Sequence, residues 1–308
     1  MRNNSLIKVS GGLGNQLFQL AFAKFIEKCT SDNIYFDVSE YSMFPSKTKR
    51  SLYLNAVGVN IDYLLPAMKK TQKFFLGLFP NSVQNLYAKT ILDSQLNYHS
   101  IDLLRTKYEG RFMFDPNLNV ESGSKYIGNF TSPEYWGDYA NQIILEVKSL
   151  LDSILMPEIV CGNRIRVLAI HARRGDYVTN PKTKNFHGYY DFNYYKRGID
   201  KLCLEGVVFD SVEIFSDDLI FANKLSKIFE PSLVKIIDAN DPLYILNRMR
   251  QADFFVGSNS TLSWWAAFSG SSKIRVLPSK WFIDESFGFN KSKFFPKSTI
   301  SIDHAFFD

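Results

Sequence analysis

Apolar residues recur at helical spacing over Gln16–Lys28, where Leu17, Phe18, Leu20, Phe22 and Phe25 are the repeating positions. A short apolar run, Leu6–Val9, precedes this stretch and another, Asn33–Phe36, follows it, so the chain opens as strand, glycine turn, helix, strand. From Tyr41 to Ser124 no period dominates. The pattern returns in Tyr139–Leu151, which predicts a helix, and is clearest after residue 165. There it predicts strands at Arg166–Ile170, Ser211–Phe215, Leu233–Ile237, Asp253–Val256 and Lys273–Leu277. Between them come helices at Phe192–Leu204, Leu219–Phe229, Pro242–Gln251 and Thr261–Phe268. Strands alternating with helices predict an α/β fold whose second half is a doubly wound parallel sheet. The stretch from Met156 to Asn163 holds a proline and a glycine, which puts a domain boundary at residues 160/161, giving domains 1–160 and 161–308.

In such a sheet a ligand sits beyond the carboxyl ends of the strands. The segments at those ends are His171–Tyr177 (HARRGDY), Ser216–Asp218 (SDD), Asp238–Asp241 and Gly257–Thr261 (GSNST), and they hold nearly all the conspicuous polar chemistry. In the first, Arg173 and Arg174 with His171 offer forked donors to a diphosphate whose charge grows as it departs. The alternative is a surface ion pair between Asp176 and one of the arginines. Ser258, Asn259, Ser260 and Thr261 precede a helix, where free N–H groups and the helix dipole favour a phosphate, although the same residues are good caps. Asp217 and Asp218 suit a guanine edge, ribose hydroxyls or the start of a helix equally well. Trp264 and Trp265 are expected in the core. The N-terminal SGGLGNQ turn, with Asp37 ending the next strand, approaches a dinucleotide fingerprint, but Leu17 stands where its third glycine belongs. Asn15 and Gln16 instead offer amides to sugar hydroxyls or an acceptor, with Gly12 in the turn itself.

Composition changes this picture little. The 308 residues carry 36 basic and 31 acidic side chains, a net +5, which is too mild for a dedicated nucleic-acid binder. The three cysteines are far apart and lack CxxC spacing, the four histidines lack ligand spacing, and no DxD pair occurs, so neither a disulfide framework nor a metal is expected. Met1–Ser10 has no signal-peptide pattern and no apolar run reaches the roughly 20 residues that span a bilayer, which places the chain in the cytoplasm. Phe74–Pro80 beside Lys69, Lys70 and Lys73 is a candidate for peripheral contact with a membrane surface.

In order, GGLGNQLFQLAFA, HARRGDYV, HGYYDFNYYKRGI, IFSDD and GSNSTLSWWAAF resemble the motif series of glycosyltransferase family 11, the α-1,2-fucosyltransferases. The resemblance implies a GT-B architecture, two Rossmann-like domains facing a cleft, and an inverting, metal-independent reaction without a cofactor. It implies GDP-fucose as donor in the C-terminal domain and a galactose-containing acceptor near the N-terminal one. Carried over by position, Arg173 holds the diphosphate, Arg174 braces it or the base, and His171 touches the sugar or phosphate. Asp217 or Asp218 meets the guanine, Ser258–Thr261 complete the phosphate cradle, and Asn15 faces the acceptor or transferred sugar. Asp176 is the candidate general base, or orients an arginine. Lacking room for an anchor before Gly11, the chain resembles bacterial members, which add fucose to a lipid-linked O-antigen unit at the inner membrane face. Two other readings are a nicotinamide-dependent oxidoreductase using Gly12, Gly14 and Asp37, and a catalytically silent nucleotide- or glycan-binding module.

Overall fold

The computed structural model describes residues 3–38, 41, 50–59, 114–154, 165–283, 291–295 and 298–306. The membrane-contact candidate at Lys69–Pro80 and the boundary at 160/161 lie outside these residues. The chain forms two compact units, Met1–Ile143 and Ile144–Asp308.

The first unit is built on a parallel sheet of order β2-β1-β3, with β1 at Asn4–Lys8, β2 at Asn33–Asp37 and β3 at Lys125–Ile127. Helix α1 (Leu13–Thr30) connects β1 to β2 and is buried along most of its length, from Leu13 and Leu17 to Phe22 and Ile26. Phe22 stacks on Phe130 at 3.9 Å, which ties the helix to the segment after β3. Among the described residues no helix is long and apolar enough to cross a membrane.

The division between units falls inside α2 (Ala140–Ser153), whose C-terminal half belongs to the second unit. The reason is an arginine: Arg250, 2% exposed, donates to Asp152 Oδ1 at 2.6 Å and to the Lys148 carbonyl at 3.4 Å.

The second unit is a six-stranded, wholly parallel sheet of order β6-β5-β4-β7-β8-β9. Its strands are β4 (Val167–Ala172), β5 (Ser211–Ser216), β6 (Val234–Ile237), β7 (Phe254–Gly257), β8 (Ile274–Pro278) and β9 (Thr299–Ile302). The first five are the strands read from the sequence, within a residue or two at each end; β9 is an added edge. The connections carry α3 (Gly175–Thr179), α4 (Pro181–His187), α5 (Phe192–Leu204), α6 (Leu219–Ser226), α7 (Pro242–Arg250) and α8 (Thr261–Ser269). Leu168, Ile170, Ile214 and Val256 of the sheet pack with Tyr194 and Leu202 of α5 in one core. The α/β class and the parallel, alternating second half are as the pattern of apolar positions predicts.

Candidate active site

In the order of the second sheet, β4 lies between β5 and β7, so chain connections leave it in opposite directions, the switch point at whose carboxyl end such sheets hold their ligands. Both arginines stand there. The register sets Ala172 opposite Ser216, which brings Arg173 alongside Asp217 as the two strands end.

The Asp217 carboxylate is the hub of this strand end. Its Oδ1 accepts the backbone N–H of Arg174 at 2.7 Å and of Gly175 at 3.0 Å, while Oδ2 accepts Arg173 Nη1. Residue 175 has to be glycine for this: a Cβ there would lie 3.0 Å from Asp217 Cγ and closer still to Oδ2. On the other side Arg173 Nη2 donates to Asp176 Oδ1, and the guanidinium sits 5.4 Å over the Tyr177 ring. Burial opposes the arginine's charge, but Asp217 and Asp176 outweigh it and hold its pKa above the ordinary value. Two carboxylates therefore fix the plane of a five-donor fork at this strand end, where its remaining N–H groups can meet an anion.

Arg174 turns the other way. Its Nε donates to Asp218 Oδ2 at 3.1 Å and its Nη1 to the Tyr190 carbonyl at 3.2 Å, with the guanidinium 4.0 Å over Phe221. It lines a cavity of about 350 Å³ together with Tyr189, Asn193 and Lys224. Asp218 also caps α6 through the Phe221 N–H at 3.0 Å, so both acidic residues expected to meet a guanine are engaged with the protein itself.

The serine turn after β7 is likewise turned inward. Ser258, Asn259 and Ser260 are all buried. Ser258 Oγ accepts the Arg173 N–H at 3.3 Å, and Asn259 donates to the His187 and Trp281 carbonyls at 2.7 and 3.2 Å. Ser260 caps α8 by accepting the Leu262 N–H at 3.3 Å, and Thr261 is the first residue of that helix. The side chains expected to cradle a phosphate thus build the turn, which sets the amino end of α8 beside the Arg173 backbone. Trp264 and Trp265 are fully buried in the core, as expected.

His171 is 7% exposed, and burial, reinforced by Arg173 and opposed by Asp217, lowers its pKa to about 4. Its Nδ1 lies 2.6 Å from Ser263 Oγ. Ser263 lies within the GSNSTLSWWAAF motif, where the sequence assigns it no role; the pairing of β4 with β7 brings it to the histidine. Behind this wall His187 stacks on Tyr177 at 4.6 Å, and burial lowers its pKa to about 4 as well.

The remaining predicted residues belong to the first unit. Gly12 caps α1, Gly11 adopts φ +77°, and the Asn15 side chain folds against it. Gln16 was expected to face sugar hydroxyls and does not: it is fully buried, donates to the Gly11 and Ser51 carbonyls at 3.1 and 2.9 Å, and accepts the Tyr53 N–H at 2.8 Å. Backbone polar groups left inside by the turn claim its whole amide. Asp37, the ribose partner of the nicotinamide reading, is 2% exposed and lies 3.7 Å from Lys125 Nζ. Among the described residues no three His, Cys, Asp or Glu side chains cluster as metal ligands.

The model of glycosyl transferase family 11 matches residues 5–298. The chain belongs to that family. Family 11 membership sets aside the nicotinamide reading. Among the relatives is the Escherichia coli "O-antigen biosynthesis glycosyltransferase WbnK", 28% identical over 333 residues, covering 96% of this chain and 99% of the relative. An E. coli α-1,2-colitosyltransferase is 26% identical over 288 residues, covering 89% and 91%. A crystal structure of the fucosyltransferase NodZ from Bradyrhizobium superposes over 88% of this chain and 94% of its own, at 10% identity and a TM-score of 0.44.

Proposed function

We propose that this family 11 enzyme transfers L-fucose from GDP-fucose to the 2-hydroxyl of a galactoside, with inversion and without a metal ion. The observation that carries the reading is the Arg173 fork, fixed by Asp176 and Asp217 at the carboxyl end of β4, beside the amino end of α8. A diphosphate leaving group gains charge as the sugar bond breaks, and an oriented guanidinium with helix N–H groups stabilises that charge most in the transition state. The absence of a DxD pair supports a metal-free reaction, with Arg173 in the role of the cation. Asp176 is the first candidate for the base that takes the acceptor proton, although its bond to Arg173 favours an orienting role. An oxocarbenium-like path lowers the demand for a strong base.

The name of one relative, an O-antigen biosynthesis glycosyltransferase, supports an acceptor in an O-antigen unit. The colitosyltransferase among the relatives makes GDP-colitose the second donor to test.

The deciding experiment is calorimetric titration with GDP, UDP and NAD in EDTA, for the wild type and Arg173→Ala. GDP binding that ignores EDTA and weakens at least 100-fold in the variant supports the reading, a loss in line with about 3 kcal/mol for a charged hydrogen-bond donor. Binding that prefers UDP, or requires a divalent ion, refutes it. Incubation with GDP-fucose or GDP-colitose and a galactoside, followed by NMR of the product linkage, then fixes donor sugar and position.

A further inference from the structure

We propose that Ser263 is a positioning residue that holds His171 as its Nε2–H tautomer and so presents a hydrogen-bond donor to an acceptor oxygen of the donor nucleotide. The second half of this statement rests on the donor reading above; the first does not.

The tautomer follows from counting protons along one buried chain of hydrogen bonds. Ser258 Oγ accepts the Arg173 N–H at 3.3 Å. Ser263 Oγ accepts the Ser258 N–H at 3.2 Å, lies 3.3 Å from Ser258 Oγ and 2.6 Å from His171 Nδ1. Both serines are wholly buried, so each hydroxyl is matched to the protein groups around it. With Arg173 already donating to it, the Ser258 hydroxyl gives its proton to Ser263. Ser263 then has both lone pairs occupied, by Ser258 O–H and Ser258 N–H, and its own proton points at His171 Nδ1. A neutral imidazole that accepts at Nδ1 carries its proton on Nε2. In the reverse direction the Ser258 proton would pass to the Tyr195 hydroxyl beside it, and the proton of that buried tyrosine would then have no acceptor, whereas in the forward direction it points at Ser258 Oγ.

Burial keeps the ring neutral at pH 7, consistent with a donor that does not give up its proton. His171 is the last residue but one of β4 and its ring feels the charges of both Arg173 and Asp217, which places it at the same strand end as the arginine fork. The hydroxyl relay also ends on the Arg173 amide, which couples the orientation of the imidazole to the seat of the arginine.

The test uses the full chain with ¹⁵N-labelled histidine and long-range ¹H–¹⁵N correlation at pH 7 without ligand, with His171→Gln assigning the signal. The expected spectrum shows His171 protonated at Nε2 and bare at Nδ1; the opposite pattern overturns the proposal. This measurement stands apart from donor binding, and the wild-type spectrum decides it even where a variant fails to fold. In Ser263→Ala both tautomers should appear and GDP affinity should fall about tenfold, with Ser263→Thr restoring a single tautomer; one unchanged tautomer in the alanine variant would also overturn the assignment. Adding GDP should move the Nε2 resonance. A shift with pyrophosphate alone identifies a phosphate oxygen as acceptor, and a shift with guanosine alone identifies the base. GDP binding with no shift overturns the donor-facing half, whereas absence of GDP binding refutes the donor reading and leaves the tautomer standing.

Discussion

Replacing Gly175 by alanine adds one methyl group and should disarm the arginine without touching it. The new Cβ would stand 3.0 Å from Asp217 Cγ, whereas ordinary contact begins near 3.4 Å, and the nearer Oδ2 is crowded more severely. The carboxylate has to withdraw by roughly 0.5–1 Å, enough to break good hydrogen-bond geometry. What it loses is the Arg173 fork on Oδ2 and the Arg174 and Gly175 amides on Oδ1. A hydrogen bond to a charged group contributes about 1.5–3 kcal/mol, and the lower end applies because Asp217 and Arg173 side chains keep 32% and 23% of their exposure. About 1.5 kcal/mol of misplaced arginine corresponds to a roughly tenfold loss of GDP affinity. Calorimetry on the wild type, Gly175→Ala, Asp217→Ala and the double variant tests this as a cycle. In the Asp217→Ala background the methyl group meets no carboxylate, so it should cost nothing further. Affinity within twofold of wild type in Gly175→Ala, or additive losses in the double variant, would refute the argument.

Gln16→Leu should lower unfolding stability by about 2 kcal/mol in urea, because two carbonyls and the Tyr53 N–H lose their partner, while GDP affinity stays unchanged. Loss of GDP binding with intact stability would return Gln16 to the ligand. His171 and His187 are both lowered to about 4 by burial, so the unfolded chain binds more protons between that value and the ordinary 6.5. Stability is full above about pH 6.5 and declines as pH falls toward 4. His187→Gln should reduce that decline, as read from urea midpoints at pH 7 and 5; an equally steep decline would show that His187 is not buried neutral. Arg250→Met should cost about 2–3 kcal/mol, since the guanidinium satisfies the Ser269 carbonyl and holds Asp152. An unchanged urea midpoint would remove this arginine as the reason α2 joins the second unit.

Much of the second unit is written in local pattern. The helix at Phe192–Leu204 is legible to the residue because Asp191 caps it through the Tyr194 N–H and its apolar stripe is regular. The strand ends could be read because parallel strands buried on both faces are continuous apolar runs. Three things escaped. The edge strand β9 is four residues long with only Ile302 buried, too little to show a period. Helix α3 was hidden inside the motif that drew attention to the arginines, and α4, just after it, went unread although Asn180 followed by Pro181 is a legible helix start. Ser263 stands inside the GSNSTLSWWAAF motif yet drew no role, since a serine in a helix acquires meaning only from the strand it faces. Asp217, Asn259 and Gln16 all have protein partners that the sequence does not reveal, for one common reason: at a strand end or tight turn, backbone groups compete with ligands for every polar side chain.

The pairing of Arg173 with Asp217 depends on β4 and β5 running in register, Ala172 against Ser216, and not on the chain that links them. Insertions and deletions should therefore have very unequal effects. Extra residues at Gly206, where an added side chain would meet nothing within 4 Å, leave both strands where they are. A single deletion inside Ser211–Ser216 turns every following side chain to the opposite face and sets Asp218 where Asp217 belongs, with its cap to α6 lost as well. For anyone recombining or shortening this enzyme, the six residues of that strand are the indivisible unit, and the loop before it is the place to cut.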